Sequence, residues 1–326
     1  MSDLTIRFLE KDEYSRWDKL VDSTEDTTIF DETWWLEAVS DVVQCNIKIL
    51  GVFRAGELIG GVPLKISRCL CMPTATRIPL SPTNSIVFAP SNTIFSSKAT
   101  SHVLEIMDGI ASFLSNNFHY SVLTNHPRII DIRSFNWQHW KTLICYTYIV
   151  NLAEADFAKL PRQRRQHIRN AEKAGVSVER ENCCYTAHTL LDKSLTASGV
   201  STPLSAVQMN QLYLKCADHI VQFTARTPDG KPAAIFVCLP DWKRKIVHAL
   251  FSGNDKDYND LNASSFVIWK SIEYFKEQGL NSMDLVGAEN KTIARFKAAF
   301  GGQLVPYFQL SKGSMPYRIL NRLCRI

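Results

Sequence analysis

Long hydrophobic runs are missing from this chain of 326 residues. None approaches the roughly 20 apolar residues that a membrane span requires. The N-terminus, MSDLTIRFLEKDEYSRWDK, is too polar for a secretory signal, so the expected location is cytoplasmic. Nine cysteines are present, but their spacing builds nothing recognisable: Cys69 and Cys71 are one residue apart, and Cys183 and Cys184 are adjacent. Neither pattern is a zinc knuckle or a redox C-x-x-C, and small apolar thiols are the expectation. The eight histidines form no H-x-x-x-H pair, so no metal site is expected. No Walker loop, dinucleotide G-x-G-x-x-G or G-x-S-x-G nucleophile elbow occurs.

What is present is a globular composition, with 45% hydrophobic and 21% charged residues. The length predicts two domains of about 150 residues each. The net charge of +5 is mild, and it favours anionic partners only where the charge clusters. Residues 27–39 read as a helix start, with Asp31 or Thr33 as cap and Trp34 and Trp35 as apolar mass. Residues 47–53 and 58–66 read as a hairpin around a glycine turn. Four prolines in 73–92 predict loop and edge strand. A helix over 98–118, a strand at 120–124 and a strand-rich segment over 127–150 follow.

The second half begins near 153–161, which places the domains at 1–152 and 153–326. Pro161 and Gly175 bracket a helix in which Arg162, Arg165, Arg169 and Lys173 form one basic stripe, with Ile168 and Ala171 facing inward. That stripe suits phosphates, and equally a solvated face. Helices over 186–198 and 204–216 come next, then strands at 221–226, 232–239 and 245–251. The segments ILGVFRAGELIGGVPL (49–64) and FTARTPDGKPAAIFVCL (223–239) echo one another as strand, polar glycine turn, strand. Two copies of one α/β unit explain the echo.

The stretch from Asn262 to Tyr307 reads as helix, strand, helix, strand. Ser264 or Ser265 is the expected cap of its first helix, with Phe266, Trp269, Ile272 and Phe275 on one apolar face and Gly279 ending it. Residues 282–286 form the strand, and the second helix is expected to bury Ile293, Phe296 and Phe300. Asp284 in an apolar strand suits a base, an amine ligand or a helix cap. Lys297 beside Phe296 suits an oxyanion partner, although a lone lysine is more often a surface charge. Tyr258, Asn259, Asp260 and Asn262 precede a helix N-terminus, a place that favours anions. The [Q/R]-x-x-G-x-[G/A] pyrophosphate loop of acetyl-CoA enzymes is replaced there by DYNDLNASSF.

RQRRQHIRNAEKAGV (162–176) resembles the R-x-x-I-R-K-A-E-K-x-G-V signature of the Fem family of peptidoglycan aminoacyltransferases. ASSFVIWKSIEYFKEQGLNSMDLVGAEN (263–290) resembles that family's helix, "GL" and D-x-x-G strand end, and FKAAFGGQLVPY (296–307) its F-K-x-x-F-G-G. IFDETWWLEAV resembles its N-terminal F-x-x-x-x-W. The resemblance implies an α/β fold of two tandem acetyltransferase-like (GNAT) domains, each a mixed sheet flanked by helices. The family's long helical arm is absent, because nothing between 176 and 220 is long enough. A lysine expected after the first tryptophan is absent too.

The resemblance also implies N-acyl transfer to an amine-bearing cell-envelope precursor, with a peripheral membrane contact among the partners. The activated donor is aminoacyl-tRNA, acyl-CoA or acyl-carrier protein, with no tightly bound cofactor. Lys297, Phe296, Asp284 and Tyr258 become the catalytic set. Arg162, Arg165, Arg169, Lys173, Trp35, Trp269, Asn262 and Ser264 become the substrate-binding set. A GNAT-shaped scaffold without chemistry is the alternative.

Overall fold

The structure is a computed structural model. It describes residues 4–69, 71–90 and 95–324, with side chains to 319. The chain runs β1 (Leu4–Phe8), α1 (Tyr14–Asp22), α2 (Thr33–Val43), β2 (Asn46–Arg54), β3 (Glu57–Cys69), β4 (Met72–Thr76), β5 (Val87–Phe88), α3 (Ser96–Asn117), β6 (Tyr120–Thr124), α4 (Arg133–Trp137) and β7 (Lys141–Asn151). It continues through α5 (Arg162–Lys173), β8 (Ser177–Glu181), α6 (Cys184–Thr196), α7 (Ala206–Lys215), β9 (Val221–Arg226), β10 (Pro232–Asp241), β11 (Ile246–Asn254), α8 (Ala263–Glu277), β12 (Ser282–Asp284), α9 (Lys291–Ala298), β13 (Gln303–Gly313) and α10 (Met315–Cys324).

Two compact units result. The first comprises Met1–Cys145 and Pro306–Ile326, and the second Tyr146–Val305. The division differs from 1–152 and 153–326 chiefly at the C-terminus. There β13 pairs Gln309–Gly313 antiparallel with Thr124–Tyr120 of β6, so the chain's end completes the first unit's sheet. A pairing so distant in sequence leaves no local periodicity to read.

In the first unit, β1, β2, β3 and β4 are successive antiparallel neighbours. The β2–β3 hairpin turns at Ala55–Gly56, with φ of 50° and 82°. Glycine fits this left-handed turn at no steric cost. Helix α3 then crosses over, and β6 returns parallel to β4. Ile106, Met107, Ile110, Ala111 and Leu114 of α3 are buried against Leu50, Val52, Val62 and Leu64 of the sheet. Their three- and four-residue spacing is what makes this segment a helix with one buried face.

The second unit repeats that plan. Strands β8, β9, β10 and β11 are antiparallel neighbours. Helix α8 crosses over, β12 returns parallel to β11, and β7 flanks β12 antiparallel. Ala263, Phe266, Val267, Ile272 and Phe275 of α8 share one core with Ile168 and Ala171 of α5 and with Phe223, Phe236 and Val247 of the sheet. The echo seen in the sequence thus corresponds to two hairpin–strand–helix–parallel-strand modules, β2–β3–β4–α3–β6 and β9–β10–β11–α8–β12.

Several expectations need correction. Ile293 is 48% exposed, while Phe300 is buried. The expected buried stripe of α9 is not formed: Phe296 is half-buried, and the buried Phe300 lies just beyond the helix. Neither Ser264 nor Ser265 caps α8; its N-cap is Asn262, in the left-handed region. Neither Asp31 nor Thr33 is the N-cap of α2; Glu32 is, and Asp18 Oδ1 accepts the Thr33 N–H at 3.0 Å. The segment 127–150 contains α4 before its strand, and β1, α1 and β8 were not foreseen. Among the described residues, no helix is long and apolar enough to cross a membrane.

Candidate active site

Strand β12 ends on Asp284, between His248 of β11 and Ile149 of β7 in register. The carboxylate is 9% exposed. Its Oδ1 accepts the Thr147 hydroxyl at 2.5 Å and the Val286 N–H at 2.8 Å. The His248 ring lies 3.9 Å from Oδ2, an ion-pair separation when the ring is protonated. Burial alone would push the Asp284 carboxyl up. The imidazole, the hydroxyl and the amide outweigh burial and hold it below the ordinary value. Asp284 is therefore ionised near neutral pH and already engaged, which suits orientation and charge balance better than proton abstraction.

The chain beyond Asp284 is strained. Val286 has φ of 49° and Gly287 of 69°. A β-branched residue in the left-handed region costs on the order of 1–3 kcal/mol and needs support from its surroundings. Two groups supply it. Asp284 accepts the Val286 N–H, and the Lys297 ammonium donates to the carbonyl oxygens of Val286 and of Gly287, the latter at 2.9 Å. Lys297 arrives on α9, whose N-cap Asn290 accepts the N–H groups of Thr292 at 2.9 Å and Ile293 at 3.2 Å. Burial pulls the Lys297 ammonium below its ordinary value, and the charges of Asp284 and Glu289 restore only part of the shift. Two of its three N–H donors are committed among the described residues.

Phe296 is half-buried and meets Phe300 edge-on, with ring centroids 5.4 Å apart. The residue that organises this pair is Arg164. It is 7% exposed. Its guanidinium lies over both rings, 4.3 Å from the centroid of Phe296 and 4.5 Å from that of Phe300. It donates through Nη2 to the Phe296 carbonyl at 3.0 Å and through Nη1 to the Ser265 hydroxyl. Among the described residues no carboxylate pairs with it, and burial lowers its guanidinium to about 10. Reading α5 as an exposed basic stripe passed over Arg164. The available signal was its position four residues before Ile168 and seven before Ala171, an arginine on the apolar face.

The stripe itself is largely solvated. Arg162, Arg169 and Lys173 are exposed and Arg165 is half-buried, and among the described residues none pairs with a carboxylate. Arg169 lies over Phe157 at 5.3 Å. Asn262 turns its side-chain amide to the Asp260 carbonyl at 3.0 Å. Ser264 is half-buried in the first turn of α8, and Tyr258 is half-buried against the second unit's core. Trp269 is 4% exposed, with its Nε1–H donated to Glu273 at 2.6 Å. Trp35 lies fully inside the first unit, with its Nε1–H donated to Ser81 at 2.8 Å. Both tryptophans expected to contact substrate are core residues with satisfied N–H groups. The second unit thus gathers Asp284, Phe296 and Lys297 at one strand end, beside α5 and the start of α8. Among the described residues, no group of three or more His, Cys, Asp and Glu could hold a metal ion.

The model of the FemAB family matches residues 217–316, a span that holds Asp284, Phe296 and Lys297. No curated protein matches by sequence. Among solved structures, FemX aligns with a TM-score of 0.70 at 12% identity, covering 98% of this chain and 99% of that one. The C-terminal domain of a protein named as a lysylphosphatidylglycerol synthetase of Agrobacterium fabrum aligns at 0.60 and 11% identity, over 94% of both chains. A tandem GNAT protein from the clavulanic acid biosynthesis pathway aligns at 0.57 and 10% identity, covering 95% of this chain and 98% of that one. This chain is built as two units of one α/β plan, similar in fold to FemX and to a tandem GNAT protein, and the FemAB family model matches it over residues 217–316.

Proposed function

We propose that this Fem-like acyltransferase moves an aminoacyl or acyl group from an activated donor onto an amine of a cell-envelope precursor. The FemAB match and the FemX and lysylphosphatidylglycerol synthetase likenesses support aminoacyl transfer in envelope synthesis. The observation that carries the reading is Lys297. Its half-buried ammonium already binds two carbonyl oxygens and retains a third N–H. A donor's acyl oxygen is the natural third partner. Negative charge growing on that oxygen as the amine attacks strengthens the contact in a weakly screened setting.

The amine's lone pair forms the new C–N bond. The tetrahedral carbon then expels the donor's ester oxygen or thioester sulfur, and the amine's proton leaves with the freed hydroxyl or thiol. Phe296 walls the acyl group, Asp284 orients the lysine and the incoming amine, and Tyr258 borders the same unit's core. Arg162, Arg165, Arg169 and Lys173 favour an anionic donor, with Asn262 and Ser264 beside it. The precursor is a peptidoglycan peptide, an amino sugar or an amino lipid. The exposed Met315 and Ile319 of α10, flanking Arg318, favour a peripheral contact with an anionic membrane surface.

The test is transfer of a labelled aminoacyl group from charged tRNA to a UDP-linked muramyl peptide, run beside acyl-CoA with an amino-sugar acceptor. Transfer by the wild type that falls about 100- to 1000-fold in Lys297→Ala supports the assignment. Near-wild-type turnover in that variant removes Lys297 from the chemistry. Binding that weakens steeply with salt marks the RNA donor.

A further inference from the structure

We infer that His248 is a positioning residue for Lys297, acting through Asp284 and the Val286–Gly287 turn. The inference rests on the acyl-transfer reading for what Lys297 does, and on the geometry of the strand ends for how it is held.

His248 lies within β11, between Val247 and Ala249, and is 2% exposed. Strand β10 sets Leu239 opposite it, and β12 sets Asp284 beside it in parallel register. An imidazole loses its hydration in such surroundings and is kept there when a polar group answers it. That group is Asp284, whose Oδ2 lies 3.9 Å from Nδ1 of the ring. The second carboxylate oxygen is engaged from the other side. Oδ1 accepts the Thr147 hydroxyl, from β7, and the Val286 N–H. The carboxylate thus has a partner at each oxygen, drawn from the strands on either side of it.

From Asp284 the hold passes along the chain to Lys297. Val286 has φ of 49°, a region that a β-branched residue occupies only with support. Asp284 Oδ1 supports it at the N–H, and the Val286 and Gly287 carbonyls receive the Lys297 ammonium. Without the imidazole at Oδ2 the carboxylate is free to turn. The Val286 N–H then loses its acceptor, and the turn that presents two carbonyls to Lys297 relaxes.

Charge works in the same direction. Burial raises the Asp284 carboxyl, and the first of the groups that lower it is His248, ahead of Thr147 and the Val286 N–H. The charged groups around this carboxylate are His248 on β11, Lys297 on α9, and Glu289, which acts on Lys297. Its neighbours on β7, Thr147 and Ile149, are uncharged. Loss of His248 therefore moves the Asp284 carboxyl upward and weakens the negative charge beside Lys297 as the solution becomes acid.

The test compares wild type, His248→Leu and His248→Asn for transfer across pH. Asparagine keeps an N–H donor near the place of Nδ1 and removes the charge. His248→Leu should lower kcat about 10- to 100-fold, the cost of a small misplacement of a reacting group. KM should stay within about twofold, because substrate binding is untouched. The acid limb, where transfer is lost as Asp284 takes up its proton, should move to higher pH. His248→Asn should recover most of kcat at the optimum, with its acid limb still displaced. Wild-type kcat and an unmoved acid limb in His248→Leu overturn the inference, as does a loss that vanishes once the folded fraction is corrected. If His248→Leu does not fold, the acid limb of His248→Asn decides, and an unmoved limb overturns the inference.

A second readout needs no activity. Acetic anhydride labelling of Lys297, read by peptide mass spectrometry, should rise severalfold in His248→Leu but not in His248→Asn. Lys193, paired with Asp255 in the same unit, is the reference and should not change. Equal Lys297 labelling in all three proteins overturns the positioning role. Labelling that depends on His248, in a wild type that transfers no acyl group, overturns the acyl-transfer reading and leaves the coupling standing. Transfer that depends on Lys297 but not on His248 does the reverse.

Discussion

The two units share a plan and differ in charge at the same point. Each has a strand that returns parallel after its crossover helix, β6 in the first and β12 in the second. In the first unit that strand ends in Thr124 and Asn125, both buried, beside Thr83, Asn84 and Ser85. Asn84 is bridged to Thr124, accepting its N–H at 2.9 Å, and these neighbours are all uncharged. Among the described residues, both amide atoms of Asn125 and the hydroxyls of Thr83 and Thr124 have no hydrogen-bond partner. In the second unit the equivalent end carries Asp284, with Lys297 binding the strained turn beyond it. One scaffold therefore supports a neutral polar strand end and a charged one.

Four measurements break or sharpen that contrast. The largest effect is expected on stability and should be the same in both units: Trp35→Ala and Trp269→Ala should each lose about 3–5 kcal/mol in denaturant unfolding. Because both rings are interior, KM should not move once the folded fraction is corrected. A KM change without a stability loss would return that tryptophan to the substrate set.

Next comes the asymmetry in chemistry. Lys297→Ala should lose about 3 kcal/mol of transition-state stabilisation, whereas Asn125→Ala should leave kcat/KM within about threefold. Equal losses would erase the difference between the units. In the wild type, transfer should also fall as pH rises through the Lys297 value. Burial sets that value below the ordinary one, so the alkaline limb should begin earlier than for a solvated lysine.

The third measurement concerns acid stability. Asp284 is held below its ordinary carboxyl value of 3.8, so its stabilising contribution is present above that value. It is lost as pH falls through the lower folded value. Asp284→Asn should flatten the fall in Tm on that acid side, and an unchanged acid limb would show the carboxylate unperturbed. The smallest effect is expected from Asn125→Leu. Replacing a buried amide that has no partner among the described residues should change stability by no more than about 1 kcal/mol. A larger loss would reveal a hydrogen-bonded ligand or water at that position.

Much of the second unit was legible in the chain. The span of α5, 162–173, and the three strands from Val221 onward follow from local signals: Pro161, Gly175, glycine turns and apolar spacing. Lys297, Phe296 and Asp284 were readable as a set only through the family's motif, because no periodicity distinguishes a buried lysine from a surface one. Arg164 was hidden by a count of charges along one helix face. Its inward direction depends on where α8 and α9 pack, and that is decided far away in the sequence.

By itself, then, the sequence determined the repeated hairpin, the span of α5 and its basic stripe, because each arises from residues within a few positions of one another. The tertiary structure decided which polar groups became a site. Thr147 and Asp284 are 137 residues apart in the chain and meet through a hydroxyl–carboxylate bond. Arg164 reaches Phe296 across 132 residues. Burial and the identity of a partner are properties of neighbouring strands and helices. The pairing of β7 with β12 set Asp284 beside Thr147, and the packing of α5 against α8 turned Arg164 inward to Ser265 and Phe296.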